Sequence, residues 1–348
     1  MEGIELLAKL CALPGISGYE TAIRNFIKDQ LKDIADKIEV DAMGNLIASH
    51  TGRSTQKLML SAHIDEIGFM VQHIDDEGFI RFIPIGGFDA KTLTAQRVIV
   101  HGKKDIVGVM GSKPIHLLSA EERNKAPQIK DYFIDTGLPA EEVRSLIQIG
   151  DPITRERELI QMGPCINAKS LDNRISVFVL LQTFVQIKKM NPELQIFAVF
   201  TVQEEVGLRG ARTVAHRIAP DFAINVDTTI AFDVPGAQSH EMVSRLGEGI
   251  AIKIMDHSVL CDYRMVQVLK DVASKNQIKW QAEILPSGGT DTSAVQLAGN
   301  GCIAGAISIP TRHIHQVIEM VHQEDVKAGI DLLLATITTI SEIEWNHH

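Results

Sequence analysis

The chain has few cysteines and few aromatic residues. These shortages disfavour metal sites built from cysteine and grooves that bind sugars by aromatic stacking. Its four cysteines, Cys11, Cys165, Cys261 and Cys302, include no CxxC pair. This scatter disfavours a structural zinc site or an iron–sulfur cluster and is typical of reduced thiols packed as small apolar residues. Two tryptophans and three tyrosines are too few for an aromatic groove on which sugars stack.

Basic residues are also in deficit, and long apolar runs are absent. Lys and Arg number 34 against 44 Asp and Glu, so the formal net charge of the 348 residues is -10. This balance argues against a nucleic-acid partner, whose phosphates require Lys and Arg. The longest apolar run, around residues 175–187, is too short and too interrupted to span a bilayer, and the sequence MEGIELL begins without a basic region. We therefore expect a cytoplasmic protein with no membrane partner.

Carboxylates follow two buried strands in the middle of the chain. Residues 196–202 are apolar and β-branched and are followed by Glu204 and Glu205, while residues 222–226 form a second apolar run followed by Asp227. We expect these two strands to be neighbours. Because ligands bind at the carboxyl ends of parallel strands, the three acids indicate a site at one edge of the sheet.

Other acids and histidines occur at strand ends or in glycine-rich turns. The full set is His63, Asp65, Asp172, Glu204, Glu205, Asp227, Asp291, His313 and His315. Each of these residues alone is more often a turn, a cap or a satisfied polar group. Clustered carboxylates, however, repel one another unless a cation neutralises them. Histidine and carboxylate without paired cysteines favour zinc, cobalt or manganese.

The pattern of hydrophobic residues changes twice along the sequence, and these changes predict two domains. Residues 69–162 show short alternating segments separated by turn signals, which is typical of a β-rich unit. Helical and buried-strand patterns surround this unit, so we predict an α/β domain made of residues 1–68 and 163–348, interrupted by the β domain of residues 69–162. Within the first segment, Ser17 and Glu20 have the spacing of a capping box at the start of a helix.

Six motifs follow one another in a characteristic order. They are AHIDEIG at 62–68, SLDNR at 170–174, QEEVGLRG at 203–210, VDT at 226–228, GGTD at 288–291 and PTRHIH at 310–315. Together they resemble the motifs of the tetrahedral (TET) aminopeptidases, a family that includes glutamyl and deblocking aminopeptidases. The stretch GVMGSKPIHLL at 108–118 is similar to part of that family's inserted β domain. The resemblance implies a three-layer catalytic domain of the zinc-peptidase type with an inserted barrel-like dimerisation domain.

The resemblance also implies a set of metal ligands. Matched motif by motif, His63 and Asp227 would hold one divalent ion, Glu205 and His315 would hold the other, and Asp172 would bridge the two. Each ion then has a histidine, a terminal carboxylate and a share of the bridge, which leaves positions open for water or substrate. Zinc or cobalt is the expected metal, with manganese as a third candidate.

Two further acids match residues that act beside the metals. Glu204 matches the family's general base, and its chemistry fits the transfer of a proton from water to a leaving amine. For Glu204 and Glu205 both to face the site, the chain has to turn after the strand. Asp65 would hydrogen-bond the second imidazole nitrogen of His63 and so fix its tautomer. The peptide bond after Asp172 is often cis in similar enzymes.

Three residues are candidates for the substrate pocket. Similar enzymes often carry tyrosine where this chain has His313, and the nearby second histidine leaves open which of the two is the ligand, although spacing favours His315. Asp291 is either a helix cap or part of the pocket wall. Arg312 is placed where it could pair with an acidic substrate side chain, as are Arg174 and Arg209, although a structural role is the more frequent one for each.

The function that these predictions imply is a dinuclear metallo-aminopeptidase. It would remove N-terminal residues from short peptides, with a metal-bridged hydroxide as the nucleophile. A metal-dependent deacylase or glycosidase on the same fold is the alternative, and a non-catalytic scaffold is another. In the family, the β domains pair subunits and six dimers form a hollow tetrahedral dodecamer, so we also expect self-association.

Overall fold

The computed structural model describes residues 3–346; residues 1–2 and 347–348 of the predicted catalytic domain lie outside the described residues. The helices are α1 (Ile4–Ala12), α2 (Thr21–Leu31), α3 (Ala120–Arg123), α4 (Ala140–Leu146), α5 (Leu171–Met190), α6 (Arg209–Ile218), α7 (Tyr263–Lys275), α8 (Asp291–Gln296) and α9 (Gln323–Thr339), with 3-10 turns at Ala90–Leu93, Ile115–Leu117, Ile129–Asp131 and Ile340–Glu342. Within residues 3–346, no helix is both long and apolar enough to cross a membrane.

Most strands belong to one 11-stranded mixed sheet. Its strands are β1 (Lys37–Val40), β2 (Leu46–His50), β3 (Lys57–His63), β10 (Ile160–Met162), β11 (Cys165–Ala168), β12 (Gln195–Thr201), β13 (Phe222–Ile230), β14 (Ile250–Met255), β15 (Trp280–Ile284), β16 (Ile303–Arg312) and β17 (Glu319–His322). The order is β1-β2-β12-β3-β13-β16-β17-β11-β10, and β14 pairs with β15 and β16. The centre, β12-β3-β13-β16, is parallel.

Helices cover both faces of this sheet, so the domain has three layers. On β12, Ile196, Ala198 and Phe200 face one hydrophobic cluster, whereas Val199 and the partly buried Phe197 face another. Helices α1, α2, α5, α7 and α9 contribute to the first cluster, and α6 and α8 contribute to the second. Alternate residues of a central strand thus pack on opposite helix layers, which is why the strand is apolar throughout. The α/β fold class predicted from the sequence is confirmed.

A closed β-barrel interrupts this domain. Its strands are β4 (Gly68–Ile74), β5 (Ile80–Ile85), β6 (Arg97–His101), β7 (Asp105–Ser112), β8 (Tyr132–Asp135) and β9 (Pro152–Arg155), arranged in the order β4-β5-β8-β7-β6-β9. They enclose a core of their own that includes Phe69, Val98 and Ile153. The strand after the barrel, β10, pairs with β11 in the main sheet.

The two strands that carry the acids are not neighbours, contrary to the expectation from sequence. Strand β3 lies between β12 and β13 and is parallel to both. Strand β13 also continues past Asp227 to Ile230, because it pairs with β16 as far as Thr311. The intervening strand ends at His63, so a histidine, and not only acids, reaches this edge of the sheet.

The capping box predicted at Ser17 and Glu20 is also wrong. Helix α2 begins at Thr21 with no side-chain cap. The Ser17 hydroxyl instead donates to Asp65 at 2.6 Å, and the Glu20 carboxylate accepts from the amides of Gly18 and Gln203. Both side chains are buried because they connect the start of α2 to the edge of the sheet that carries the acids.

Candidate metal centre

The acids and histidines singled out in the sequence come from separate elements that meet at the carboxyl end of the parallel strands. His63 ends β3, Glu204 and Glu205 follow β12, Asp227 lies in β13, Asp172 begins α5, and His315 lies in the loop between β16 and β17. Three sets of their ligand atoms each lie within 4.8 Å of one another: His63 with Asp172 and Asp227, Asp172 with Glu205 and His315, and His63 with Glu204 and Glu205.

The first set is centred on His63. Its Nε2 atom lies 3.3 Å from Asp172 Oδ1 and 3.7 Å from Asp227 Oδ1, and all three side chains are buried. The Nδ1 atom of His63 lies 3.1 Å from the backbone oxygen of Asp65. That contact fixes the plane of the imidazole ring and directs Nε2 towards the two carboxylates.

The second set is centred on His315. Its Nε2 atom lies 3.2 Å from Asp172 Oδ2 and 3.4 Å from Glu205 Oε1. Asp172 therefore presents one carboxylate oxygen to each histidine. The peptide bond between Asp172 and Asn173 is cis, and the Asn173 side chain donates to the carbonyl of Val226 at 3.1 Å.

A turn after β12 brings both adjacent glutamates to the same cleft. Gln203 has a φ of 56°, which interrupts the alternation of the extended strand. The carboxylate of Asp65 holds the turned segment, because it accepts from the amide of Glu204 at 3.0 Å and from the amide of Glu205 at 3.2 Å. Asp65 also lies 3.5 Å from Nδ1 of His63. Its carboxylate thus organises the glutamate pair as well as contacting the histidine.

The pKa values of the cluster describe a strongly negative site. Burial raises the pKa of Glu204 well above its ordinary value, and burial also raises that of Glu205. Burial opposes the charged form of His315, but its hydrogen bonds with Asp172 and Glu205 raise its pKa to about 11. These groups favour added positive charge, and the nitrogen and oxygen donors suit divalent zinc, cobalt or manganese.

Glu319 supports two of these residues through their backbone amides, and none of the six sequence motifs includes it. Its carboxylate accepts from the amide of Asp172 at 2.9 Å and from the amide of His315 at 2.8 Å, and the side chain is fully buried. A carboxylate between Val317, Ile318 and Val321 in an otherwise apolar segment is the signal that could have revealed it.

Arg155, at the end of barrel strand β9, was missed as well. Its Nη1 donates to the carbonyl of His315 at 2.9 Å. Glu319 therefore holds the amide of His315 while the barrel holds its carbonyl. No pattern within residues 152–155 indicates this role, because the partner lies 160 positions away.

The three pocket candidates occupy different environments. Asp291 is buried and accepts from Thr201 Oγ1 at 2.5 Å, and burial raises its pKa to about 7. It begins α8 without capping it. Arg312 Nη2 lies 2.6 Å from Asp233 Oδ2. His313 has a φ of 59°, and its carbonyl accepts from the amide of Gln316.

A cleft of about 540 Å³ opens beside the cluster. Its walls include the ends of β13 and β15 and the loop before α8, with Gly87 of the barrel on another side. A Cβ atom at Gly87 would lie 3.6 Å from His315 Nδ1. The volume is within the range of about 300–1,000 Å³ that is typical of sites for small ligands.

The three-layer domain carries a buried cluster of histidines and carboxylates that could hold metal ions, which is the kind of site that metallopeptidases use. Comparison with known protein families identifies the family. The family model described as M42 glutamyl aminopeptidase matches residues 44–332 of the chain. The chain belongs to this family of aminopeptidases. The resemblance to the TET aminopeptidases predicted from the motifs is confirmed.

Similar proteins match over nearly their whole lengths. A lysyl aminopeptidase of Pyrococcus furiosus is 33% identical, with 98% of both chains covered. A TET aminopeptidase structure from the Thaumarchaeota archaeon SCGC AB-539-E09 has a TM-score of 0.94 at 34% identity, covering 97% of this chain and 96% of that one. The TET1 peptidase of Pyrococcus horikoshii, described as assembling into a tetrahedron or a large octahedral shell, has a TM-score of 0.86 at 33% identity, with 95% and 98% covered.

Replacing Glu319 with glutamine should destabilise the protein by about 1–3 kcal/mol, because a buried amide nitrogen would then face one of the two backbone N–H donors. The measurement is the midpoint of denaturant unfolding. Glu324→Gln is the matched control, since Glu324 is exposed at the start of α9. Equal midpoints for the two variants would contradict the positioning role of Glu319.

Proposed function

We propose that the chain is a dinuclear metal-dependent aminopeptidase that removes N-terminal residues from short peptides. The observation that carries this proposal is the position of Asp172, whose Oδ1 faces His63 at 3.3 Å and whose Oδ2 faces His315 at 3.2 Å. A carboxylate that presents one oxygen to each of two histidines is suited to bridge two cations. Asp227 and Glu205 then supply a terminal carboxylate on either side.

The two divalent ions would be held by residues of one buried cluster. His63 and Asp227 would bind the first ion, His315 and Glu205 would bind the second, and Asp172 would bind both. Zinc or cobalt suits this mixture of nitrogen and oxygen ligands best, and manganese is also compatible. When bound, such ions supply Lewis acidity to a substrate carbonyl and lower the pKa of a water molecule.

Glu204 is proposed as the general base. Its Oε2 lies 3.9 Å from Nε2 of His63, beside the proposed ligands, and its side chain lines the cleft. Burial raises the pKa of its carboxyl group, which favours uptake of a proton from the attacking water. The same carboxyl group can then give the proton to the amine that leaves.

The neighbours of Glu204 hold it in place for this task. Asp65 accepts from its backbone amide at 3.0 Å and is in turn fixed by the hydroxyl of Ser17. Thus the base and the proposed ligand Glu205 are anchored by one carboxylate. Asp65 therefore acts as a positioning residue in this mechanism.

Removal of divalent metal should abolish the activity, and cobalt or zinc should restore it. The assay uses aminoacyl-p-nitroanilides with the chelated and the reloaded protein, together with an N-acetylated peptide. The proposal expects metal-dependent cleavage of free N-termini alone. Full activity after chelation would contradict the metal mechanism, and cleavage of only the acetylated peptide would favour a deacylase.

Replacing Glu204 with glutamine should lower kcat by about 10²–10⁴-fold, because the amide cannot take up the proton. The metal content, measured by elemental analysis, should stay that of the parent protein. Glu77→Gln is the matched control, since Glu77 is exposed in the turn between β4 and β5. A Glu204→Gln protein with full metal and nearly parental kcat would rule out this role.

We also propose that the barrel pairs subunits and that the pairs assemble into a dodecamer. The barrel exposes several apolar side chains, and groups of such side chains can mark protein–protein contacts. Val107 is 57% exposed and Val109 48% on β7, and Ile115 and Leu117 beyond it are 63% and 68% exposed. The assembly described for the similar TET1 peptidase supports this proposal.

Native mass spectrometry tests the assembly. The parent protein should have the mass of twelve chains, and Val109→Lys should reduce it because a charge would enter the proposed interface. Leu260→Lys is the control, because Leu260 is 68% exposed in the other domain. A parent protein with the mass of one chain would contradict the proposal.

A further inference from the structure

The residues that line the cleft outside the metal cluster are all uncharged. Apart from the cluster itself, its lining includes Ile230, Leu285 and Ile314, together with the hydroxyl-bearing Thr229 and Thr290. Leu285 and Thr229 are buried, and Ile230 and Ile314 are partly buried. A substrate side chain that enters here would leave water for an apolar wall.

No lysine or arginine within residues 3–346 lines this part of the cleft. Arg312 and Lys253 lie in elements around the cleft, and each is paired with acids. Arg312 Nη2 contacts Asp233 at 2.6 Å. Lys253 is fully buried, with its ammonium group bonded to Glu283 and lying 3.5 Å from Asp256. Neither cation is available to a substrate carboxylate.

The acids near the cleft also have partners or proposed roles of their own. Glu204, Glu205, Asp172 and Asp227 belong to the proposed metal and base machinery. Asp291 is not among the residues that line the cleft; it is buried and accepts from Thr201. A basic substrate side chain would therefore find no carboxylate of its own on the uncharged wall. Burying either sign of charge without a partner carries a large desolvation penalty.

From these observations we propose that the cleft selects peptides whose N-terminal side chain is uncharged and aliphatic, such as leucine or methionine. Ile230, Leu285 and Ile314 are the specificity-determining residues. This inference rests on the proposed aminopeptidase function, because it assumes that the N-terminal residue lies beside the metal cluster. It separates this chain from the glutamyl and lysyl preferences named for its family and for one relative.

The test compares kcat/KM of the metal-loaded protein for leucyl, methionyl, glutamyl and lysyl p-nitroanilides. Leucyl or methionyl substrates should exceed glutamyl and lysyl substrates in kcat/KM by about tenfold or more, because a charged side chain would leave water without a partner. A glutamyl or lysyl substrate that is cleaved best would overturn the specificity alone. If none of the substrates is cleaved with any metal, the proposed function fails as well.

Lysine substitutions in the wall locate the specificity. Leu285→Lys should raise the ratio of glutamyl to leucyl kcat/KM by about tenfold or more, because the new ammonium group can pair with the substrate carboxylate. Ile230→Lys is a second variant at a less buried position, in case Leu285→Lys does not fold. Leu297→Lys is the matched control, since Leu297 is 76% exposed and lies outside the cleft.

The outcomes separate a local effect from a general one. The proposal expects the glutamyl to leucyl ratio to rise in at least one wall variant and to stay parental in Leu297→Lys. An unchanged ratio in a folded, active wall variant would overturn the assignment of these residues. An equal rise in the control would show a long-range charge effect and would overturn it too.

Discussion

Asp172 faces His63 with one carboxylate oxygen and His315 with the other, and much of the surrounding structure keeps this arrangement in place. Glu319 accepts from the backbone amides of both Asp172 and His315. Asp65 does the same for Glu204 and Glu205. Buried carboxylates therefore form two tiers, one that would hold cations and one that holds the backbone of the first. The second tier accepts hydrogen bonds from backbone N–H groups, which are fixed donors.

The barrel contributes to the site as well as to the proposed assembly. Arg155 holds the carbonyl of His315, and Gly87 lines the cleft close to the same imidazole ring. A change in how the barrel packs would therefore reach His315 directly. The proposed pairing surface and the support of a proposed metal ligand thus belong to one small domain.

The sequence predicts the α/β fold and the inserted β-rich unit, and apolar runs that stop at acids point to Glu204, Glu205 and Asp227. The choice of Asp172 and His315 rests on the resemblance to the TET aminopeptidases, because neither residue ends a buried strand. The sequence does not predict that β3 separates β12 from β13, since strand order depends on long-range pairing that no local pattern records. Ser17 shows the same limit: its spacing from Glu20 suggests a helix cap, but its hydroxyl contacts Asp65. The sequence does not reveal the roles of Glu319 and Arg155, because each hydrogen-bonds to a residue that only folding brings near.

The most direct test of this account is the location of bound metal. Crystals grown with cobalt, with diffraction measured on both sides of the cobalt absorption edge, would reveal the ions by anomalous scattering. The account predicts two peaks on either side of the Asp172 carboxylate, one beside His63 and Asp227 and the other beside His315 and Glu205. A single peak, or peaks away from Asp172, would contradict the dinuclear site.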